Sequence, residues 1–531
     1  MKTGADILAE ALRAAGATRA FGIPGGEVLA LLAGLERAGI RFTLAKHENS
    51  AGFMSEGFWH ANGSLPVLVA TLGPGVANAV NVVANAMQDR VPLIFITGCV
   101  DAALAESYTH QVFDHQAVLR PIVKASFRAT SETQALVVEK AVAIALAGRP
   151  GPVHIDLPIS VAEMTVDDGT RVSILPSVVA GVGDISAAVG LLASARRPLV
   201  IAGLDIMIEG CASQLEELVR KINAPLLTTY KAKGVIPEDD LAVIGAVGLS
   251  PKADAIVRPL IDEADVIVLA GYDPIEMRQG WRQPWPADKI VIDIVAQRLP
   301  HGMHTSSLIV EGPVGSALSA LSACLTPRSS WPDGQPARVR AELREAFAPD
   351  EKWGPAAVFD AMRSITPRGA IATADSGAHR ILLSQMWTCY TPRSLLQSSG
   401  LCTMGCALPL AIGAALATGE HALCFVGDAG LEMVLGELAT ARDLGAPVVV
   451  VVLVDASLSL IELKQRQLQL ANGGVDFGIT DFANVARAMG GYGASIDGRD
   501  QLEAEARAAF AREGLTVLAC SIPRRSYDGM F

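Results

Sequence analysis

The sequence predicts an α/β protein of three doubly wound parallel-sheet domains, and three observations carry that prediction. The chain has 531 residues, too many for one hydrophobic core and suited to about three domains of roughly 150 residues each. Short apolar strand patterns that end in Gly or Pro alternate with helix patterns in three successive blocks, as βα units on a parallel sheet do. Half of the residues are hydrophobic and only 18% are charged, so sheets buried on both faces, or surfaces covered by oligomerisation, are expected.

The first block, residues 1–165, opens on an amphipathic helix pattern and places strands at 20–24, 66–71 and 92–98. Residues 165–185 lose the rhythm and read as a linker. The second block, 186–325, repeats it with strands at 198–203, 264–271 and 290–293, and the polar, Pro-rich stretch 326–336 is a second linker. The third block, 340–525, carries strands at 370–375, 422–427 and 447–453.

Composition excludes several function classes. The net charge of −12 argues against a nucleic-acid or anionic-membrane partner. The longest apolar runs, such as 446–454, are about nine residues, against the roughly 20 that a membrane-spanning helix needs. The eight cysteines are scattered, without a CxxC pair or a His cluster, and read as free buried thiols in a reducing cytoplasm. The N-terminus has no signal-peptide core.

The segment from His421 to Asp455 has the length of one βαβ crossover: a strand, a Gly-containing turn at Asp428, one amphipathic helix, a Gly-Ala-Pro turn and a second strand ending at Asp455. A right-handed crossover puts both aspartates at the C-terminal edge of a parallel sheet, where open α/β sheets bind ligands. Two carboxylates with nearby backbone carbonyls suit Mg²⁺ or Ca²⁺. Each Asp could equally cap a turn, and spacing alone does not decide between the two.

Six ordered motifs extend across the chain. They are Phe21-Gly-Ile-Pro-Gly25-Gly26, Lys46-His47-Glu48, Thr71-Leu-Gly73-Pro74-Gly75-Val-Ala-Asn78, Pro150-Gly-Pro-Val-His-Ile-Asp-Leu-Pro158, Asp375-Ser-Gly377-Ala-His379 and Ser399-Gly400-Leu-Cys-Thr-Met404-Gly405. Together with Gly427-Asp428-Ala429-Gly430 and, 27 residues on, Asp455-Ala456-Ser457, they resemble the thiamine diphosphate family, specifically its acetolactate-synthase-like branch.

The resemblance implies pyrimidine-binding, central and diphosphate-binding domains, and a metal held by Asp428, Asp455 and the carbonyl of Ser457. Two positions depart from the family signature Gly-Asp-Gly…Asn-Asn: Ala429 replaces Gly and Asp455 replaces Asn, which adds a negative charge beside the diphosphate. The family position of Glu48 is a carboxyl group on the pyrimidine N1′ that promotes removal of the thiazolium C2 proton. Met404 stands where the family bends the cofactor, although Met is as often core filler. Gly25, Pro74, Gly75 and Asn78 fall on the pyrimidine side, and Gly377, His379, Ser399, Gly400, Gly427, Gly430 and Leu458 on the diphosphate side. His379 reads equally as a structural histidine.

Family members decarboxylate a 2-oxo acid and differ in what captures the enamine. Gln111 aligns with a glutamine near the acceptor in acetolactate synthases, and His110 replaces the Phe beside it. The resemblance thus implies a carbon–carbon ligase. His110 and His115 are candidate proton donors, so a 2-oxo-acid decarboxylase releasing an aldehyde is the alternative. Lys464 falls where biosynthetic acetolactate synthases carry Trp, and either meets a polar substrate group or is a solvated helix residue. The Arg-rich stretch of the flavin-binding form is absent, so FAD is not expected. A homodimer or homotetramer with the site between subunits is implied. A non-catalytic nucleotide-binding protein is the rival from another class, weak for want of a G-x-G-x-x-G.

Overall fold

Runs of β-branched residues between glycine and proline punctuation form the strands, and the computed structural model describes residues 2–104, 107–166, 181–298 and 301–531. Residues 167–180, most of the first linker, lie outside the described residues. Each of three blocks holds one six-stranded sheet, and every strand pair in them is parallel. A two-stranded antiparallel ribbon joins Lys2–Thr3 to Thr165–Val166.

In the first sheet the spatial order is Arg41–Leu44, Arg19–Gly22, Val67–Ala70, Ile94–Cys99, Val153–Pro158, Ala125–Arg128. The third sheet has the same winding: Leu395–Gln397, Ala372–Ala374, Ala422–Gly427, Val448–Val454, Thr516–Ser521, Tyr492–Ile496. The middle sheet runs Val243–Ala246, Leu226–Thr228, Pro198–Ala202, Val266–Ala270, Ile290–Val295, Leu308–Glu311, the dinucleotide-fold order. Every residue of Val448–Val454 is buried, because helices cover both faces of the sheet.

The opening helix, Gly4–Ala14, begins where Thr3 and Asp6 form a capping box, satisfying two backbone donors that a helix start leaves unpaired. The single helix expected after Asp428 is instead two, Asp428–Glu432 and Gly436–Asp443. Helix Gln335–Ala346 begins inside the Pro-rich stretch, with Pro336 in its first turn, where a missing N–H costs nothing. All eight cysteines are free; six are buried, but Cys324 and Cys402 are exposed, which corrects the expectation that all are buried.

The first and third blocks share one core. Helix Glu48–Asn62 lies against helix Ala407–Thr418, and Phe53, Met54 and Val82 pack in the same cluster as Leu410, Ile412 and Val450. Backbones touch there: a Cβ on Gly413 would sit 2.0 Å from the Met54 carbonyl oxygen, and one on Gly57 would sit 2.2 Å from that of Leu410. Only glycine permits that approach. Among the described residues no helix is long and apolar enough to cross a membrane.

Candidate active site

The third sheet reverses its strand order between Ala372–Ala374 and Ala422–Gly427, and a crevice opens at the C-terminal ends of strands there, as the doubly wound topology dictates. Asp375 follows the first strand, Asp428 the second and Asp455 the neighbouring strand Val448–Val454. The cavity measures about 120 Å³ and opens to solvent. Its walls include Gly377, His379, Met404, Gly427, Asp428, Ala429, Gly430, Asp455, Ser457 and Leu458, all named from the sequence.

Asp428 is buried, and its Oδ2 accepts hydrogen bonds from the N–H groups of Asp455 at 3.1 Å and Ala456 at 2.7 Å, while Oδ1 accepts from Ala429 at 2.8 Å. The Asp455 carboxylate accepts from the Ser459 hydroxyl. Burial pushes both carboxyl groups up, Asp455 to about 6, and the Asp428 charge adds to the rise at Asp455. Two buried acids facing one space favour a proton or a cation between them. Ala456 holds φ +55° in the turn that follows Asp455, a conformation costly for a residue with a Cβ. The oxygen donors and the volume fit a diphosphate held through a hard divalent cation.

Asp375, which the motif Asp375-Ser-Gly377-Ala-His379 contains without marking it as a site residue, is made central by the fold. It is fully buried; its Oδ1 meets His379 Nε2 at 2.8 Å and its Oδ2 accepts from Gly405 N–H at 2.7 Å. It thus fixes His379 and the residue after Met404 together. His379 is bonded to Asp375 and also lines the cavity.

Glu48 opens helix Glu48–Asn62 and is 4% exposed. Its Oε2 accepts from the Asn78 side chain at 3.0 Å, and a Cβ on Gly75 would lie 3.3 Å from its Oε1. The preceding Lys46 donates its N–H to Glu437 of the third block at 3.1 Å. Pro74 starts the helix that carries Asn78. None of Glu48, Gly75 and Asn78 lines the cavity around Asp428 within this chain; nor do Gly25 and Pro74.

Ser399 and Gly400 also lie off the cavity wall, their N–H groups donating to Asp89 of the first block at 3.1 and 2.8 Å. His110 and Gln111 are exposed, Gln111 with φ +59°. His115 is buried, with both ring nitrogens engaged. That arrangement does not suit the proton-donor role considered for it. Glu27 went unremarked in the sequence. Its carboxylate accepts from the Thr71 hydroxyl, beside Gly25; its place one residue after the Pro-Gly-Gly turn was the available signal.

Three family models match the chain: thiamine pyrophosphate enzyme, N-terminal TPP binding domain, over residues 2–118; central domain, over 185–321; and C-terminal TPP binding domain, over 375–520. The chain is 32% identical to the probable 2-ketoarginine decarboxylase of Pseudomonas aeruginosa, over 97% of this chain and 93% of that protein. It is 28% identical to the acetolactate synthase isozyme 3 large subunit of Escherichia coli, over 95% and 92%. It is also 28% identical to the acetolactate synthase of Bacillus subtilis, over 97% and 92%.

Proposed function

The chain belongs to the thiamine pyrophosphate enzyme family, in its acetolactate-synthase-like branch, and from that premise we propose that it is a carbon–carbon ligase of acetolactate-synthase type. It is a thiamine-diphosphate-dependent enzyme acting on 2-oxo acids. The observation that carries the reading is the cavity whose wall holds both Asp428 and Asp455, at the tips of adjacent strands.

Thiamine diphosphate, when bound, would supply a nucleophilic carbon and an electron sink for loss of CO₂ from a 2-oxo acid. Asp428, Asp455 and the Ser457 carbonyl would hold Mg²⁺ or Ca²⁺ against the diphosphate, with Gly427, Ala429, Gly430 and Leu458 around it. Gly377 and His379 would border the diphosphate, Ser399 and Gly400 would support the loop, and Met404 would press between the rings. Glu48, held by Asn78 and shielded from water, would share a proton with the pyrimidine N1′, with Gly25, Pro74 and Gly75 alongside. Gln111 and His110 would meet the acceptor.

Glu48 is off the cavity wall of its own chain, and this supports a homodimer or homotetramer in which Glu48 of one subunit serves the Asp428 cavity of another. Exposed apolar side chains at Leu29 and Leu44 on the first block, and Met433 and Ile461 on the third, would be covered by such contact. Eight free cysteines support a reducing, cytoplasmic setting.

The second reading is a decarboxylase that releases the aldehyde. It is favoured by Glu27, whose acidic group beside Thr71 suits a 2-oxo acid with a cationic tail, and by the 2-ketoarginine decarboxylase relative. The deciding experiment incubates the protein with thiamine diphosphate, Mg²⁺ and a panel of 2-oxo acids, including pyruvate and one bearing a guanidinium. Mass spectrometry of the products then separates the two. An acetolactate-like adduct supports ligation, free aldehyde alone supports the second reading, and no turnover of any acid rejects both.

A further inference from the structure

We propose that His115 is a positioning residue that sets the Thr71–Asn78 loop through one backbone hydrogen bond, an inference that rests on the placement of that loop at the cofactor's pyrimidine end. Gly73 donates its N–H to His115 Nε2 at 3.2 Å, and His115 Nδ1 lies 2.8 Å from Asp156 Oδ1. His115 and Asp156 are each 5% exposed. Gly73 has φ +61° and directly precedes helix Pro74–Gln88. The orientation of that one peptide therefore fixes where Pro74, Gly75 and Asn78 begin. A Cβ on Gly73 would sit 2.3 Å from the Gln111 carbonyl oxygen, so the loop is clamped from that side as well.

The proton inventory of the cluster closes on one arrangement. A backbone N–H can only donate, so His115 Nε2 is unprotonated and the ring's proton is on Nδ1, directed at Asp156. The Thr97 hydroxyl donates to the same Asp156 oxygen at 2.8 Å, so it accepts from His154 Nε2, also at 2.8 Å. His154 Nδ1 then accepts from the Ser126 hydroxyl at 2.7 Å. Both rings are neutral in this chain of bonds. Burial holds His154 down to about 4. At Asp156 burial acts to raise the carboxyl, but the His115 bond and its other partners outweigh burial and keep it below its ordinary range. The ligand atoms of His115, His154 and Asp156 lie within 4.8 Å of one another, close enough for a metal ion. Yet every ring nitrogen already has a hydrogen-bond partner, which favours the relay over an ion.

Two substitutions in the full-length protein divide the ring's functions. His115→Asn can keep a donor to Asp156 but stops short of Gly73; His115→Gln can place an acceptor near Gly73 but loses the bond to Asp156. Thiamine diphosphate binding with Mg²⁺ is read by tryptophan fluorescence, and C2 proton exchange of the bound cofactor by NMR. The expected result is exchange slowed at least tenfold in His115→Asn and within about threefold of wild type in His115→Gln, with thermal midpoints of the two variants alike. Wild-type exchange in a folded His115→Asn overturns the proposal, as does equal loss in both variants or a stoichiometric metal ion that either variant releases. Should the unmodified protein neither bind the cofactor nor exchange its proton, it is the placement of the loop that fails.

Discussion

The Asp428 carboxylate accepts a hydrogen bond from the backbone N–H of Asp455 at 3.1 Å. This contact ties the tips of adjacent parallel strands, Ala422–Gly427 and Val448–Val454, and leaves both acid groups on the wall of one cavity. With the Asp428 carboxylate held by this bond and that of Asp455 by the Ser459 hydroxyl, a cation meets less ordering cost at both.

Chelation should therefore release the cofactor. Dialysis against EDTA is expected to lower thiamine diphosphate affinity by about 100-fold, with recovery on adding Mg²⁺, and Asp428→Ala should do the same irreversibly. A loss of that size corresponds to about 3 kcal/mol. Asp455→Asn keeps an oxygen in place and should stay within about tenfold of wild type. Fluorescence titration measures all three; unchanged affinity in Asp428→Ala would remove the metal site from these residues.

Glu48→Gln retains the shape and the Asn78 contact but cannot share a proton with N1′. C2 proton exchange is expected to slow by about 100-fold or more, in the range of a lost general acid–base group, with cofactor affinity nearly intact. NMR exchange rates and a binding titration check it together.

The shared core of the first and third blocks should be intolerant at its glycines. Gly413→Ala puts a methyl group 2.0 Å from the Met54 carbonyl oxygen, so the helices must separate, at about 1–3 kcal/mol. Gly419→Ala gives a control of another kind: its Cβ meets nothing within 4 Å, but its φ of +71° at the helix end makes the cost backbone strain alone. Thermal midpoints should fall in both, and only Gly413→Ala should also perturb the contact between helices, visible as faster amide exchange in both.

Acid should cost the fold stability through His154. The ring is fully buried and is held at about 4 by burial, whereas an unfolded histidine titrates at 6.5. As pH falls below about 6.5 the unfolded chain takes up a proton that the folded chain refuses until about 4, so stability is lost across that window, by up to about 3 kcal/mol. His154→Val lacks the group. The drop in its thermal midpoint between pH 7.5 and pH 4.5 should be smaller than that of wild type; an equal drop would assign the acid sensitivity to other groups.

Much of the site is legible in the sequence. Asp428 and Asp455 could be placed on one sheet edge because a βαβ unit is a local object of fixed length and hand. The break at residues 433–435 was not legible, since the apolar pattern runs through it without a proline and only the packing of Gly436–Asp443 reveals two helices. His115 looked like a candidate acid because its partners, Gly73 and Asp156, lie 42 and 41 residues away, beyond any periodic signal.

The three parallel-sheet blocks, the strand-tip acids and the loops around them are written into the residue order, because hydrophobic period, turn residues and motif order act over a few tens of residues. Long-range packing places Glu48 away from the Asp428 cavity of its own chain, lets Asp375 lock His379 and Gly405 together, and engages His115 with a backbone amide. Those outcomes depend on which strands become neighbours and how closely helices from distant blocks can approach, and that is set by the packing of the whole chain.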